Sequence, residues 1–203
     1  MAIKMNASPL DAIRSGTITR IHLHGDSITQ GCGFLSQQQG YVNYLTVQFN
    51  RISPHEQLQI YNHAVGGATS VDGLDRIHWS DRENHIPHLT LMMFGLNDVH
   101  RDVSLDEYVH CLESMIGSLA SNGSQVVVLS PTPYVSREDD VRSYRDRAEA
   151  VARQSDVFFI DCLTPFYATG EIPADFIWPD GIHLTAQGQR FLGEHIFVEL
   201  ERI

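Results

Sequence analysis

Five short apolar segments alternate with longer segments of helical period, and this alternation constrains the fold more than any other feature of the chain. The segments that we predict to be strands are 18–24, 58–64, 89–94, 126–129 and 157–160. The third is almost entirely apolar, which is typical of a strand covered on both faces. The pattern therefore predicts an α/β fold, with a parallel sheet between two layers of helices. A length of 203 residues suggests a single domain over residues 1–203.

The segments between the strands have the spacing of amphipathic helices. Helices are predicted over 40–52, 71–84, 105–121, 141–151 and 185–200. In the clearest of them, 105–121, apolar residues recur every three or four positions and so share one face. Ser104 and Glu107 form a capping-box signature before this helix, and Gly123 suits its end. A long segment near the C-terminus, 163–184, contains three prolines and has no regular period. Loops of this length in compact domains are usually functional or mobile.

Charge and composition exclude several classes of function. The chain has 14 Lys and Arg against 25 Asp and Glu, which gives a net charge of -11. Such a surface repels phosphate backbones and anionic lipids, so we expect neither a nucleic-acid partner nor membrane insertion. Lys4 is the only lysine, which excludes Schiff-base chemistry elsewhere in the chain. The cysteines Cys32, Cys111 and Cys162 are far apart and odd in number, which indicates reduced thiols and a cytoplasmic location. No targeting or membrane-spanning segment is evident, in agreement with that location.

Polar motifs directly follow three of the predicted strands, and a fourth lies near the C-terminus. They are GDSIT at 25–29, VGGAT at 65–69, GLND at 95–98 and DGIHLT at 180–185. In parallel α/β sheets, ligands bind beyond the carboxyl ends of the strands. These motifs are therefore the candidates for a functional site.

The motifs contain the groups needed for nucleophilic catalysis by a serine. A serine hydroxyl attacks a carbonyl only when a base removes its proton, and histidine is the usual base. A carboxylate then fixes the imidazole tautomer and stabilises its charged form. Ser27, His183 and Asp180 supply these groups. The backbone N–H groups of Ser27 and Gly67 and the side-chain amide of Asn97 are candidates for an oxyanion hole.

The four motifs, in this order, resemble the blocks of the SGNH hydrolases, also called the GDSL esterase/lipase family. That family is named for a serine, a glycine, an asparagine and a histidine, which match Ser27, Gly67, Asn97 and His183. The resemblance implies a flavodoxin-like three-layer sandwich, with a five-stranded parallel sheet in the order 2-1-3-4-5. It also implies that the loop 163–184 crosses the end of strand four to bring the histidine to the serine.

The second block departs from the family pattern at two positions. Ala64 stands where a glycine is common, and Ala68 stands where a polar residue is common. These departures leave the expected role of Gly67 unchanged, but they leave open how the local hydrogen bonds are made.

Each motif also has a purely structural alternative. Ser27 could be a helix cap, and His183 an ordinary surface histidine. Asp180 with its following glycine, the Asn97 segment and the glycines of the second block could be simple turns. The order of the four blocks and the Asp-x-x-His spacing favour the catalytic interpretation.

Metal and dinucleotide binding are the remaining alternatives. His22 and His24 share one strand face, and His85 and His88 lie one helical turn apart. There is no HExxH and no paired CxxC, so we expect no metal. A glycine-rich segment around Cys32 lacks the third glycine of a dinucleotide fingerprint, and Cys32 is a weaker nucleophile candidate than the strand-end serine.

The sequence thus predicts a carboxylic ester hydrolase that acts on a small-molecule ester through an acyl-serine and needs no cofactor. Leu96, Tyr134 and Trp178, with Phe166 and Phe176, are predicted to form a modest apolar pocket, which favours short acyl groups such as acetyl. The alternative is that some of these aromatic residues belong to the core. A thioesterase or a lysophospholipase with the same three residues is one alternative. A non-catalytic binding module of the same fold is another, although all three reactive residues are present.

Overall fold

The computed structural model of the protein describes residues 8–31, 35–54, 58–77 and 86–203. Its strands are β1 (Arg20–Gly25), β2 (Gln59–Asn62), β3 (Leu89–Met93), β4 (Gln125–Leu129) and β5 (Phe158–Ile160). Its helices are α1 (Pro9–Arg14), α2 (Ser27–Gln30), α3 (Tyr41–Ile52), α4 (Ser70–Ile77), α5 (Leu96–His100), α6 (Leu105–Ser121), α7 (Glu138–Gln154) and α8 (Ala186–Leu200). Short 3-10 helices cover Gln37–Gln39, Val135–Arg137 and Thr164–Tyr167.

The five strands form one parallel sheet in the order β2-β1-β3-β4-β5, which confirms the predicted fold class and strand order. The central strand β3 is buried along its whole length, as its apolar composition predicts. The edge strand β2 is partly exposed and has a mixed composition. The register pairs Gly25 with Met93, and Met93 with Leu129. The residues that follow β1, β3 and β4 therefore lie side by side at the carboxyl end of the sheet.

Helices cover both faces of the sheet. Helix α3 packs against α1 and α8, whereas α6 packs against α4 and α7. In α6, the Ser104 hydroxyl accepts the N–H of Glu107, which is half of the predicted capping box, and Gly123 ends the segment with a φ of 89°. The apolar face of this helix is buried, including Leu112, Ile116 and Leu119.

The structure differs from the sequence-based prediction mainly in short elements. Helices α1, α2 and α5 were not predicted, because four to six residues are too few to show a helical period. The predicted helix 71–84 begins one residue earlier, and its part beyond Ile77 lies outside the described residues. Lys4, Cys32 and His85 also lie outside them.

The segment 163–184 contains more structure than its sequence indicates. It begins with the 3-10 helix Thr164–Tyr167, and an isolated antiparallel bridge joins Ile177 to Leu184. Its prolines prevent a longer helix, so the rest of the segment remains irregular.

None of the helices within the described ranges is both long and apolar enough to cross a membrane.

Candidate active site

Ser27 is the first residue of α2, directly after the end of β1. The preceding residue, Asp26, is extended, and its carboxylate accepts the N–H of Ile28 at 2.9 Å, so Asp26 caps the helix in the role considered for Ser27. Gly25 is required at the strand end, because a Cβ there would lie 2.4 Å from Thr29 Oγ1 and 2.7 Å from the Met93 carbonyl oxygen. The chain therefore turns sharply and presents the Ser27 hydroxyl at the carboxyl end of β1.

Asp180 and His183 lie on a compact loop that is held by its own hydrogen bonds. One oxygen of Asp180, Oδ1, accepts the backbone N–H groups of Ile182 and His183 at 2.9 and 3.0 Å. Gly181 has a φ of +71°, the left-handed conformation that glycine adopts without strain. The backbone N–H of Trp178 donates to the His183 carbonyl at 2.8 Å, which closes the loop. The sequence Asp-Gly-x-His thus folds locally into a turn that holds the carboxylate against the imidazole.

The structure brings the three predicted residues into one chain of hydrogen bonds. Ser27 Oγ lies 3.0 Å from His183 Nε2, and His183 Nδ1 lies 2.8 Å from Asp180 Oδ2. Burial alone would raise the pKa of Asp180, but hydrogen bonds from the Ile182 N–H, the His183 ring and the His183 N–H outweigh it and lower that pKa. Asp180 is therefore a carboxylate near neutral pH. A hydroxyl, an imidazole and a carboxylate in this order can move a proton away from the hydroxyl.

The two remaining predicted residues, Gly67 and Asn97, lie in segments that are joined by a hydrogen bond through Ala68. Gly67 has a φ of +78°, and its loop is joined to the end of β1 by a hydrogen bond from the Val65 N–H to the Gly25 carbonyl at 3.0 Å. The Asn97 side-chain amide donates to the Ala68 carbonyl at 3.1 Å. Because an amide NH₂ has two N–H bonds, this contact orients Asn97 and leaves a second donor. Ala68 departs from the family pattern because it lacks a polar side chain, but its backbone carbonyl accepts the hydrogen bond from Asn97.

Two buried carboxyl groups brace the site without belonging to the hydrogen-bond chain. Asp98 accepts the N–H of Ser70 at 3.0 Å and also its hydroxyl, so it joins α5 to the start of α4. Burial raises the pKa of Asp98, although the bonds from Ser70 oppose that shift. Burial also raises the pKa of Asp26 to about 7, against the opposing hydrogen bond from Ile28.

The predicted pocket residues occupy different environments. Leu96 is 4% exposed and Tyr134 is 9% exposed, and the Tyr134 hydroxyl lies 3.2 Å from His100 Nδ1. Trp178 is half-buried and is joined to His183 through its backbone. Phe166 and Phe176 pack edge to face against each other and both contact Phe191 of α8. Phe166, at 2% exposure, packs in the core, which favours the core alternative for this aromatic residue.

Sequence reasoning missed two side chains that position the serine turn. Buried Gln189 of α8 donates to the Ile28 carbonyl at 3.2 Å and accepts the Tyr41 N–H at 3.0 Å. Asn62, at the end of β2, donates to the Thr29 carbonyl at 2.8 Å. The sequence signal for Gln189 was a glutamine that interrupts the apolar face of its helix. Asn62 had no such signal, because an asparagine at the end of a strand is common.

The parallel sheet places these side chains at the carboxyl ends of its strands, where α/β enzymes bind their ligands. The model of the GDSL-like Lipase/Acylhydrolase family matches residues 23–191, which is most of the chain. The protein belongs to this family and is a carboxylic ester hydrolase. No curated protein sequence matches the chain significantly.

Several solved structures are similar in fold. LAE5, an alpha/beta hydrolase enzyme from the metagenome of Lake Arreo, Spain, has a TM-score of 0.77 and 23% identity, over 90% of this chain and 95% of that chain. TesA has a TM-score of 0.75 and 24% identity, over 90% and 98% of the two chains. The acetyl xylan esterase Axe2 (variant W215I) from Geobacillus stearothermophilus has a TM-score of 0.76 and 22% identity, over 90% and 94%. At these identities, the similarity establishes the fold.

Proposed function

We propose that the protein is a serine esterase that hydrolyses short-chain carboxylic esters through an acyl-serine intermediate. The observation that carries this proposal is the continuous chain from Ser27 Oγ through His183 to Asp180, with contacts of 3.0 and 2.8 Å. Both contacts are within the range of real hydrogen bonds. Membership of an acylhydrolase family supports the same chemistry.

In the first half of the reaction, His183 Nε2 takes the proton of Ser27 as Oγ bonds to the ester carbonyl carbon. Asp180 accepts the Nδ1–H bond, which keeps the lone pair on Nε2 and stabilises the imidazolium as it forms. His183 then gives the proton to the leaving alcohol as the carbon–oxygen bond breaks. In the second half, His183 activates water, which releases the acid and restores the serine.

The negative charge that develops on the carbonyl oxygen needs preorganised donors. The Asn97 amide, the Gly67 N–H and the Ser27 N–H are proposed to supply them. The hydrogen bond from Asn97 to the Ala68 carbonyl supports this role, because it fixes the amide beside the second-block loop before substrate binds. Gly67 allows close approach of the substrate, since it has no side chain.

The substrate is proposed to be a small ester with a short acyl group. Asp180 and His183 are on an exposed loop, with 35% and 28% of their side chains accessible, so the alcohol part has access from solvent. Leu96 and Tyr134 are largely buried and offer little apolar surface, and Trp178 is the more accessible of the predicted contacts. The fold relatives described as acetyl xylan esterases support an acetyl preference. A cytoplasmic location is proposed as well, supported by Cys111 and Cys162, which are buried free thiols.

The test is hydrolysis of aryl esters of graded acyl length, with acyl-thioesters and lysophospholipids in the same panel. We expect the highest kcat/KM for acetyl to hexanoyl esters, and loss of roughly 10³-fold or more in Ser27→Ala. Ser143→Ala, which removes an exposed serine of α7, is the matched control and should keep full activity. Preference for a long acyl-thioester or a lysolipid would replace the substrate assignment. Full activity in Ser27→Ala would overturn the mechanism.

A further inference from the structure

Three histidines lie together on one face of the sheet, at its β1–β2 edge. Alternation along β1 places His22 and His24 on the same face. The register pairs Leu23 with Asn62, and the His63 N–H continues the ladder to the Leu23 carbonyl, so His63 is beside His24 on that face. One ring nitrogen from each of the three lies within 4.8 Å of the others.

The contacts among these rings are close. His22 Nδ1 and His63 Nε2 are 3.1 Å apart, and the rings of His24 and His63 stack with centroids 4.9 Å apart. His22 is 1% exposed and His24 is 4% exposed, whereas His63 is half-buried. The three rings therefore form a compact, mostly buried cluster, of which His63 is the most exposed member.

One nitrogen in this cluster requires a partner that the protein does not supply. His24 Nε2 is buried and has no hydrogen-bond partner within the described part of the chain. An unsatisfied buried polar atom destabilises the folded state, so a ligand at this position would stabilise the fold. Burial, and to a smaller extent the neighbouring His63 and His22 rings, lower the pKa of His24 to about 3, and burial also lowers the pKa of His63. A neutral imidazole ring has one nitrogen with a free lone pair, and this is the atom that binds a transition metal.

We propose that His22, His24 and His63 bind one divalent transition-metal ion of the Zn²⁺ type, at a site separate from the ester-cleaving residues. Imidazole nitrogen is a preferred ligand of Zn²⁺, Cu²⁺ and Ni²⁺. Two ligands at the usual Zn–N length of ~2.0–2.1 Å in a tetrahedral site are ~3.3 Å apart. His22 Nδ1 and His63 Nε2 are hydrogen-bonded at 3.1 Å, which is close to that separation, and a change of tautomer would exchange the shared proton for the ion. The His24 ring would have to rotate to bring its nitrogen from within 4.8 Å to the same distance. Water entering past His63 would supply the fourth ligand.

The ion would join the edge strand β2 to β1 just before the turn that carries Ser27. The sequence motifs predicted no metal, and His22 and His24 alone lack a third ligand. That ligand is His63, which follows β2. His63 is 39 residues away from His24 in the chain, so only the sheet brings the three together.

The test is binding of Zn²⁺ to the full chain after removal of metal with a chelator. We expect one ion per chain in a competition titration with a chromophoric chelator, a rise in Tm, and a cobalt absorption spectrum typical of nitrogen ligands when Co²⁺ replaces Zn²⁺. His63→Ala should weaken binding by at least roughly 100-fold, since loss of even an indirect supporting contact costs 10- to 100-fold. His110→Ala removes an exposed histidine of α6 and should leave binding unchanged.

Circular dichroism of each variant checks the fold, and His63→Gln replaces His63→Ala if the alanine variant does not fold. The proposal also predicts that His183→Ala retains the ion. Absence of saturable binding, equal binding by wild type and the His63 variants, or loss of binding only in His183→Ala would each overturn it. An unchanged Tm at saturating Zn²⁺ would also overturn it, because an ion that satisfies buried His24 must stabilise the fold. None of these results bears on hydrolysis by Ser27.

Discussion

The turn that carries Ser27 and the loop that carries His183 meet at one site, but they are held in place differently. The serine turn, residues 25–30, is bonded to the rest of the fold: Asn62 holds the Thr29 carbonyl, Gln189 holds the Ile28 carbonyl, and the Val65 N–H donates to Gly25. These bonds join the serine turn to the sheet, to α8 and to the loop 65–69. Its position is therefore a property of the whole fold.

The histidine loop, residues 175–185, is bonded mainly to itself. Asp180 accepts two N–H groups of the same loop, and the Trp178 backbone bonds both His183 and Gly181. Outside the loop, the Gly181 carbonyl accepts the N–H of Val135 at 2.9 Å. This difference indicates that changes in the serine turn affect folding, whereas changes in the histidine loop affect activity with little effect on folding.

The largest effect is expected for Asp180→Asn, in the loop. The asparagine oxygen can still accept the Ile182 and His183 N–H groups, so Tm should stay within a few degrees of wild type. An amide cannot stabilise the imidazolium, so kcat/KM should fall by roughly 10³- to 10⁴-fold. Asp175→Asn, at an exposed acid of the same loop, is the control and should keep its activity. Retained activity in Asp180→Asn, or a large loss of Tm, would break the comparison.

Asn97→Ala is expected to lower kcat by roughly 10²- to 10³-fold, the usual effect of removing one oxyanion donor. Steady-state kinetics with an acetyl ester would measure it. Because the donor acts on charge that develops in the transition state, KM should change little. A rise in KM with unchanged kcat would assign Asn97 to ground-state binding instead.

Matched glycine substitutions test the two regions directly through the free energy of unfolding. In Gly25→Ala the new Cβ meets the Met93 backbone oxygen at 2.7 Å, and we expect a loss of about 3 kcal/mol or more. In Gly181→Ala the Cβ would lie 3.3 Å from Val135 Cβ and the φ is +71°, so a loss of about 1–2 kcal/mol is expected. Denaturant unfolding of both variants measures which substitution lowers the free energy of unfolding more. A larger loss for Gly181→Ala would contradict the comparison.

The smallest effect concerns pH and Asp161, at the start of the segment that leads to the histidine loop. Burial would raise the pKa of Asp161, but hydrogen bonds from Thr164, Leu163 and Arg145 outweigh it, and the pKa is lowered. Its stabilising contribution is therefore present above the unfolded pKa of about 3.9 and is lost as the pH falls through the lower folded value. Unfolding free energy in Asp161→Asn should thus depend less on pH below about 5 than in wild type. Parallel pH profiles would contradict this role.

The comparison also explains how much the sequence could predict. The strands, the long helices and the four motifs were predictable because each depends on local period or on adjacent residues; Asp180 and His183 are only three positions apart. Gln189 and Asn62 were not, because each acts on a carbonyl far away in the chain. The same limit concealed the approach of His63 to His24. Whether Phe166 faces substrate or the core was not predictable, because an aromatic residue in a loop has the same local sequence in both cases.

The central claim, that Ser27 is the nucleophile activated by His183, is tested most directly by covalent labelling with a fluorophosphonate, followed by mass spectrometry of the digested protein. We predict one modified residue, Ser27, with labelling abolished in Ser27→Ala and strongly slowed in His183→Ala. A folded, ester-hydrolysing protein in which Ser27 remains unmodified, or in which His183→Ala is labelled at the wild-type rate, would contradict the account.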